Sequence, residues 1–455
     1  MEYLIYDALK KYKKLRPLRF HMPGHKADKK HFPLFGDAAY DITELSFSDC
    51  LEHPDGIIAA AESDVAEILG AKRSFFLTDG SSSGVFSMLY AVFRRGGKIA
   101  LARNSHKSVY NACAVLGIEP YVLKNNVMDG VLLPPAPAEI EDAFKRDKDV
   151  SAVLLTSPDY YGNISDYAAI RKICDRYGKY LLVDGAHGAY LRFDPDLSEL
   201  YAGNYADIWV DGAHKTLPSL TQGALLNVNN EKLLASAAEG AGLFRTTSPS
   251  YPILASMEYG VKYLAENGKM LLDLLKREFS LMKMRLKKRG IRIYGESKTL
   301  QFSVDFGAMG ISPYFAEEEL EKRRIYPEMN DGRYLLFYLS PLTRPSHLLR
   351  LERAIRRVVR MRQLRGSYEA SPEFSAGVKK FSYLTALTFE KERVPLDEAE
   401  GRIAARNAGV TPPCIPVVLA GEMITAPAAE LLKSAKHCFG VEDGGIEVIK
   451  IGGGK

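Results

Sequence analysis

Long apolar runs are missing from this chain. No stretch approaches the ~18 residues that a membrane-spanning helix requires, so no membrane association is expected. The N-terminus, Met1-Glu-Tyr-Leu-Ile-Tyr-Asp, lacks a basic segment followed by an apolar one, and no secretory signal is read there. Cysteine is scarce: five residues, at 50, 113, 174, 414 and 438, with no Cys-x-x-Cys pair. That number and spacing argue against a disulfide frame and a zinc site, and fit reduced thiols in a cytoplasmic protein. A large charge of one sign is also lacking, since 61 Lys and Arg against 56 Asp and Glu leave +5. The basic clusters, Lys283–Arg289 and Arg353–Arg357, have no interleaved aromatic residues, so they read as solvated helix faces rather than a nucleic-acid groove. No internal repeat or low-complexity tract is found.

What is present is ordinary for a globular enzyme in composition, and at 455 residues too long for one core. From about 39 to 250, strand-like apolar runs alternate with helical patterns. This predicts an α/β fold with a mostly parallel sheet covered on both faces. Five runs carry the pattern: Arg73–Leu77, Lys98–Ala102, Ser151–Leu155, Tyr180–Val183 and Asp207–Val210. Each ends in small or polar residues, and in open α/β sheets ligands bind beyond the carboxyl ends of the strands.

Two of those ends dominate the chemistry. Asp207-Ile-Trp-Val210 leads through Asp-Gly-Ala to His214 and Lys215, and Tyr180-Leu-Leu-Val183 ends in Asp184-Gly-Ala-His187. A lysine held out of bulk water can form a Schiff base. A strand-end aspartate can hold a ring nitrogen, and the pair is what pyridoxal phosphate requires. Thr78-Asp-Gly80-Ser81-Ser82-Ser83-Gly84 opens a helix with an apolar face of Val85, Phe86, Met88, Leu89, Val92 and Phe93. Its N–H groups and hydroxyls make a phosphate cradle plausible, although such turns are common. His106 offers a flat ring at another strand end. Local sequence favours the plainer reading, a histidine capping the next helix. Ala186 would let a ring lie close to the backbone.

Residues 1–38 read as an arm, with a helix from Tyr3 to Lys14 and a turn in Phe20-His-Met-Pro-Gly-His-Lys26. That turn either meets a phosphate or a neighbouring subunit, or is simply a structured surface turn. The main domain is expected over 39–289, closing on a long helix from about Ser250. A smaller α/β unit follows over 290–366, with strands Leu300–Asp305 and Tyr334–Leu339 and helices Tyr314–Lys322 and Pro345–Arg362. Glu328, between those strands, is either a solvated loop charge or an anion facing a cationic substrate. The last unit, 367–455, is expected to hold helices and a Pro-rich crossing, Thr411–Glu422.

Taken together, these motifs resemble the bacterial-type ornithine/lysine/arginine decarboxylases, which have an aspartate-aminotransferase-like fold. The resemblance runs through Phe20–Lys26, His53–Ile58, Arg103–Ser108, Ser157–Gly162, Val183–Gly188, His214-Lys215, Thr246–Tyr251 and Ile415–Glu422. It implies a short form without an N-terminal wing domain, and pyridoxal 5'-phosphate as cofactor. Lys215 would be the Schiff-base lysine, Asp184 the partner of the pyridine nitrogen and His106 the stacking ring. Gly80, Ser81 and Ser82 would hold the phosphate with help from His214, and Ala186 and His187 would lie near the ring. The active site would be shared in a homodimer, with Thr246 reaching the partner's phosphate and Glu328 facing the distal cation of a basic amino acid. Two positions depart from the family pattern: Gly185 stands where glutamate is usual, and Gly212 where serine is usual. Loss of that serine hydroxyl is expected to lower cofactor affinity. Two further readings stay open: an aminotransferase or other lyase, favoured if Arg333 or Arg344 clamps a substrate carboxylate, and a non-catalytic relative.

Overall fold

The computed structural model describes residues 1–31, 38–295, 298–361 and 374–450. They divide into two compact units, Met1–Arg94 with Tyr167–Asp273, and Arg95–Asp166 with the rest of the chain from Leu274.

In the first unit four strands lie in the order Arg73–Leu77, Ala224–Val228, Ile208–Asp211, Tyr180–Gly185. The last two run parallel, with Asp184 opposite Val210 and Gly185 opposite Asp211. The Ala224–Val228 strand is antiparallel to both of its neighbours. Every residue of Ile208–Asp211 is buried, as befits a strand covered on both faces, whose sequence is a continuous apolar run rather than an alternation. Beneath the end of that strand lies a polar core. Asp211 accepts hydrogen bonds from Tyr201 Oη (2.6 Å), Trp209 Nε1 (2.9 Å) and Asn227 Nδ2 (3.0 Å), and burial pushes its pKa up to about 7.

The helix Gly80–Phe93 packs directly on this sheet. A Cβ at Gly84 would stand 2.8 Å from Leu77 Cδ1 and 2.9 Å from Val210 Cγ1, so glycine is what permits the close approach. Of its expected apolar face, Val85, Met88 and Leu89 are fully buried while Phe86, Val92 and Phe93 are half-buried. The chain then enters the 37-residue helix Tyr251–Lys287, as its length of helical pattern predicts.

In the second unit, strands Val150–Thr156, Gly97–Leu101 and Ile118–Val122 are parallel neighbours in that order. A smaller antiparallel sheet joins Gln301–Asp305, Tyr334–Tyr338 and Met329–Asn330. Helix Pro313–Glu321 lies between Gln301–Asp305 and Met329–Asn330 in the sequence, and Pro345–Met361 follows the last strand. The two strands and two helices expected here fall within a residue of their places, with Arg362 outside the described residues, whereas Met329–Asn330 lies in the stretch read as a connection. The boundary expected at 366–367 also lies outside the described residues.

The last stretch differs from expectation. Among the described residues from 374 onward, short strands predominate. Lys391–Pro395, Gly445–Ile449 and Val441–Glu442 form one sheet, and Ile415–Val418, Ala408–Val410 and Cys438–Phe439 another. The helices Tyr383–Thr388 and Ala426–Ser434 complete it. Strands of two to five residues are too short to establish an alternating pattern, and their apolar residues, among them Val394, Val417, Val418, Ile446 and Val448, are spent on one common core. The Pro-rich crossing is itself part strand, at Ile415–Val418.

Candidate active site

In the first unit the turn after Ile208–Asp211 leads at once into a short helix, Ala213–Thr216, which holds His214 and Lys215. The turn after Tyr180–Gly185 carries Ala186 and His187, both buried. Lys215 Nζ lies 3.1 Å from His187 Nε2. Asp184 is buried and takes a backbone hydrogen bond from Ala186 at 3.3 Å. Burial raises its pKa, and the charge of Lys215 works in the opposite direction. The lysine and the aspartate thus lie close enough to feel each other's charge.

Gly212 joins three segments. A Cβ built on it would meet the Ala186 carbonyl oxygen at 2.4 Å and Ser81 Oγ at 3.2 Å. The first distance is shorter than any real contact, and its partner is backbone, which has no rotamer to yield. Gly212 therefore has a packing reason of its own. The departure at 212 is therefore a packing requirement as well as a lost hydroxyl, because in this chain a serine Cβ would clash. Gly212→Ser is expected to cost about 1–3 kcal/mol of stability, in line with other overpacked sites. The measurement is the urea midpoint at constant m; an unchanged midpoint would mean that the turn gives way.

Ser81 Oγ, which Gly212 faces, is buried and has no hydrogen-bond partner among the described residues. Ser82 is exposed and Gly80 half-buried. The Gly80 N–H donates to Gln222 O at 2.8 Å, and the Thr246 N–H donates to Asp79 Oδ2 at 3.0 Å. Gly80, Ser81, Ser82, Asp184, Ala186, His187, His214, Lys215 and Thr246 are thus gathered around the ends of two neighbouring strands and the start of one helix. An unpartnered buried hydroxyl at a helix N-terminus is a donor set suited to an anion. Thr246 stands beside the Gly80–Ser82 turn of its own chain.

His214 Nδ1 lies 2.9 Å from Gly223 O, a carbonyl, so Nδ1 must be the donor. Burial, with a smaller contribution from Lys215, lowers its pKa against the opposing pull of that hydrogen bond. The imidazole is therefore neutral, and its Nε2 is an acceptor.

His106 and Glu328 belong to the second unit. His106 caps the helix Lys107–Leu116: its Nδ1 accepts from the Ser108 N–H at 3.2 Å. The plainer reading of this residue holds locally, and its ring is half-buried. Glu328 is exposed, and its charge contributes to raising the pKa of Tyr160, behind the larger effect of burial.

The histidines of the N-terminal turn are paired within the chain. His21 Nε2 lies 2.6 Å from Tyr12 Oη, and His25 Nε2 lies 3.1 Å from Asp41 Oδ2. The two arginines that would favour an aminotransferase are also engaged. Arg333 donates to Asp305 through Nε and Nη2, at 3.3 and 2.9 Å, and Arg344 Nε lies 3.1 Å from His347 Nε2. The five cysteines are free thiols. Among the described residues no group of metal-ligating side chains is found, and no helix is long and apolar enough to cross a membrane.

Sequence reasoning missed one pair in the second unit. Arg103, just past the end of Gly97–Leu101, donates from Nη1 and Nη2 to the two carboxylate oxygens of Glu422 at 2.6 and 2.8 Å, and to Val417 O at 2.7 Å. Both side chains are more than nine-tenths buried. The pair fixes the start of the segment that carries His106. Both residues lie in motifs singled out from the sequence, but nothing in the sequence connects them.

The α/β fold that carries these strand ends is shared with solved structures. The lysine decarboxylase LdcF of Francisella novicida superposes with a TM-score of 0.82 at 19% identity, over 98% of this chain and 81% of that one. A structure of SPT with PLP superposes with a TM-score of 0.58 at 14% identity, over 79% and 84%. Residues 4–299 match the major domain of the Orn/Lys/Arg decarboxylases and residues 363–440 their C-terminal domain, so the chain belongs to the Orn/Lys/Arg decarboxylase family. The uncharacterized protein YaaO of Bacillus subtilis is 31% identical over 94% of this chain and 93% of its own length. Arginine decarboxylase of the same organism is 29% identical over 92% and 91%.

Proposed function

We propose that this chain is a pyridoxal-phosphate-dependent decarboxylase of a basic amino acid: arginine, lysine or ornithine. The observation that carries the reading is one cluster holding Lys215, Asp184 and the unpartnered Ser81 hydroxyl. These residues fit the cofactor. Lys215 would bond its aldehyde and Asp184 would pair with its ring nitrogen. Gly80, Ser81 and Ser82 would receive its phosphate, with Thr246 as a further contact, and Ala186 would leave room for the ring. His106 would stack on that ring. Bound there, pyridoxal phosphate supplies an electron-withdrawing ring that can take up the electron pair of a bond broken at Cα.

The protein's own groups divide the remaining work. Asp184, kept from water, holds a proton on the ring nitrogen. His187 Nε2 accepts a hydrogen bond from Lys215 Nζ and so holds the amine in place. Lys215 is the better source for the proton returned to Cα, because neutral His214 already spends its one N–H on Gly223. The same reasoning limits His214 as a phosphate ligand to a role that begins only when the anion itself draws a proton onto Nε2. Decarboxylation is favoured over transamination because Arg333 and Arg344 are committed elsewhere. A substrate carboxylate left without a tight cation loses carbon dioxide more readily out of water.

Glu328 is proposed to face the distal cation of the substrate. Glu328→Gln is expected to raise KM for the basic amino acid about 10-fold, the lower end for a hydrogen bond to a charged group, with cofactor affinity unchanged. Equal weakening of both would remove Glu328 from that role. A homodimer in the cytoplasm is proposed as the working form. Four large apolar side chains of the arm, Leu15, Leu18, Phe20 and Met22, are 68–94% exposed and fit burial against a second copy. The relatives named arginine decarboxylase make arginine the first substrate to try. The test is carbon dioxide release from arginine, lysine and ornithine by cofactor-loaded protein. Amine and carbon dioxide in equal amounts are expected from at least one, whereas a keto acid without carbon dioxide would favour the aminotransferase reading.

A further inference from the structure

The second unit contains a cavity of about 120 Å³ that the proposed chemistry does not use. Asn104 lines it just beyond the end of Gly97–Leu101, and Asp159, Tyr160 and Tyr161 line it after Val150–Thr156. It therefore opens where ligands bind in sheets of this kind, at the carboxyl ends of parallel strands. Asp331 completes its polar side. Ile415, Val417 and Leu431 add aliphatic surface to its lining.

Three features describe what this cavity is built for. Asn104 is 3% exposed, and neither its Nδ2 nor its Oδ1 has a hydrogen-bond partner among the described residues. A buried amide left unpaired costs about 1–3 kcal/mol, so an empty site is an expensive one. The two carboxylates are held in place and not neutralised. Asp159 accepts from the Tyr161 and Asn163 N–H groups, both at 2.9 Å, and from Asn163 Nδ2 at 2.8 Å. Asp331 accepts from the Arg333 and Tyr334 N–H groups at 2.8 and 2.6 Å, and from the Tyr161 hydroxyl. None of these donors carries a charge, so neither acid is paired with a cation through them. The cation nearest to hand, Arg333, puts its guanidinium on Asp305 instead. Burial raises the pKa of both acids, the direction expected of carboxylates kept in an apolar place without a counter-cation.

We propose that this cavity binds a small organic cation, a primary alkylammonium of about six heavy atoms or fewer. Its ammonium group meets Asp159, Asp331 and the Asn104 carbonyl, and its aliphatic stem lies on Ile415, Val417 and Leu431. The size follows from the volume, since a dry cavity of ~150 Å³ holds one benzene. Water alone would satisfy the acids but leave the aliphatic surface wet. An anion would face two carboxylates, and Arg333, the one guanidinium lining it among the described residues, is already paired.

The experiment is a calorimetric titration of the full chain with butylammonium, butyrate and butanol at equal ionic strength. The protein is treated with cofactor and borohydride beforehand, so that no amine can condense with a bound aldehyde. Saturable binding of butylammonium alone is expected. Asn104→Leu should weaken it at least 10-fold while leaving the melting temperature of the ligand-free protein unchanged or higher, because the variant removes an unsatisfied group. Ile415→Trp, which fills the cavity without touching a charge, should weaken it equally, and stands in if Asn104→Leu fails to fold. Binding that is the same for all three probes, stronger for butyrate, or unaltered in the variants would overturn the proposal. None of these outcomes depends on which amino acid the enzyme decarboxylates.

Discussion

Asp184→Asn is expected to lower kcat for decarboxylation by about 10²–10³-fold, the usual cost of deleting one preorganised electrostatic group from an active site. The amide keeps the shape of the side chain and loses only its charge. Without that anion, Asp184 would no longer hold a proton on the ring nitrogen of bound pyridoxal phosphate, whose capacity to take up an electron pair would fall. The effect should fall on kcat and spare KM, because Asp184 acts on the reacting system and does not touch the distal end of the substrate. Cofactor should still be fixed to Lys215 by borohydride in this variant. Loss of cofactor retention with unaltered turnover per bound cofactor would show that Asp184 only anchors. The burial that raises the Asp184 pKa also sets a sign for pH dependence. Protonation of this carboxyl would remove the charge proposed to hold the ring nitrogen, so activity that depends on it is expected to be lost as pH falls.

Glu422→Ala is expected to destabilise the protein by about 3–5 kcal/mol, the range for breaking a buried ion pair from one side. Arg103 would then keep a guanidinium in a place 5% exposed with only the Val417 carbonyl to receive it. Burial alone would lower the pKa of that guanidinium, and it is the two hydrogen bonds it donates to Glu422, with that carboxylate's charge, that raise it again. The Leu419 N–H, which donates to Glu422 at 2.8 Å, would lose its acceptor as well. Denaturant unfolding measures the loss. Replacing both residues together by apolar ones of similar volume should recover most of it, which a purely local loss of packing at position 422 would not allow.

The parts of the fold legible from sequence are those in which the physics is local. Tyr180–Gly185 and Ile208–Asp211 announce themselves because both faces are covered, so nearly every residue is apolar. The helix after Gly80 shows through its spacing, and Lys215 and Asp184 through their place at the ends of such runs. Two strands of the same architecture were not read. Ile118-Glu-Pro-Tyr-Val122 carries a charge and a proline, which suit an edge position but hide the strand. Ala224-Leu-Leu-Asn-Val228 contains Asn227, a polar residue at a core position that pays its way through Ser74 and Asp211. Long-range features leave still less trace. Arg103 and Glu422 are 319 residues apart, and the need for glycine at 212 comes from a carbonyl 26 residues earlier in the chain. No periodicity encodes either one.

The most direct test of the proposed chemistry is reductive trapping: protein incubated with pyridoxal phosphate, reduced with borohydride, digested and mapped by mass. One modified peptide is expected, carrying the pyridoxyl group on Lys215, and none in Lys215→Ala. Label spread over surface lysines, or retained at full level in Lys215→Ala, would contradict it.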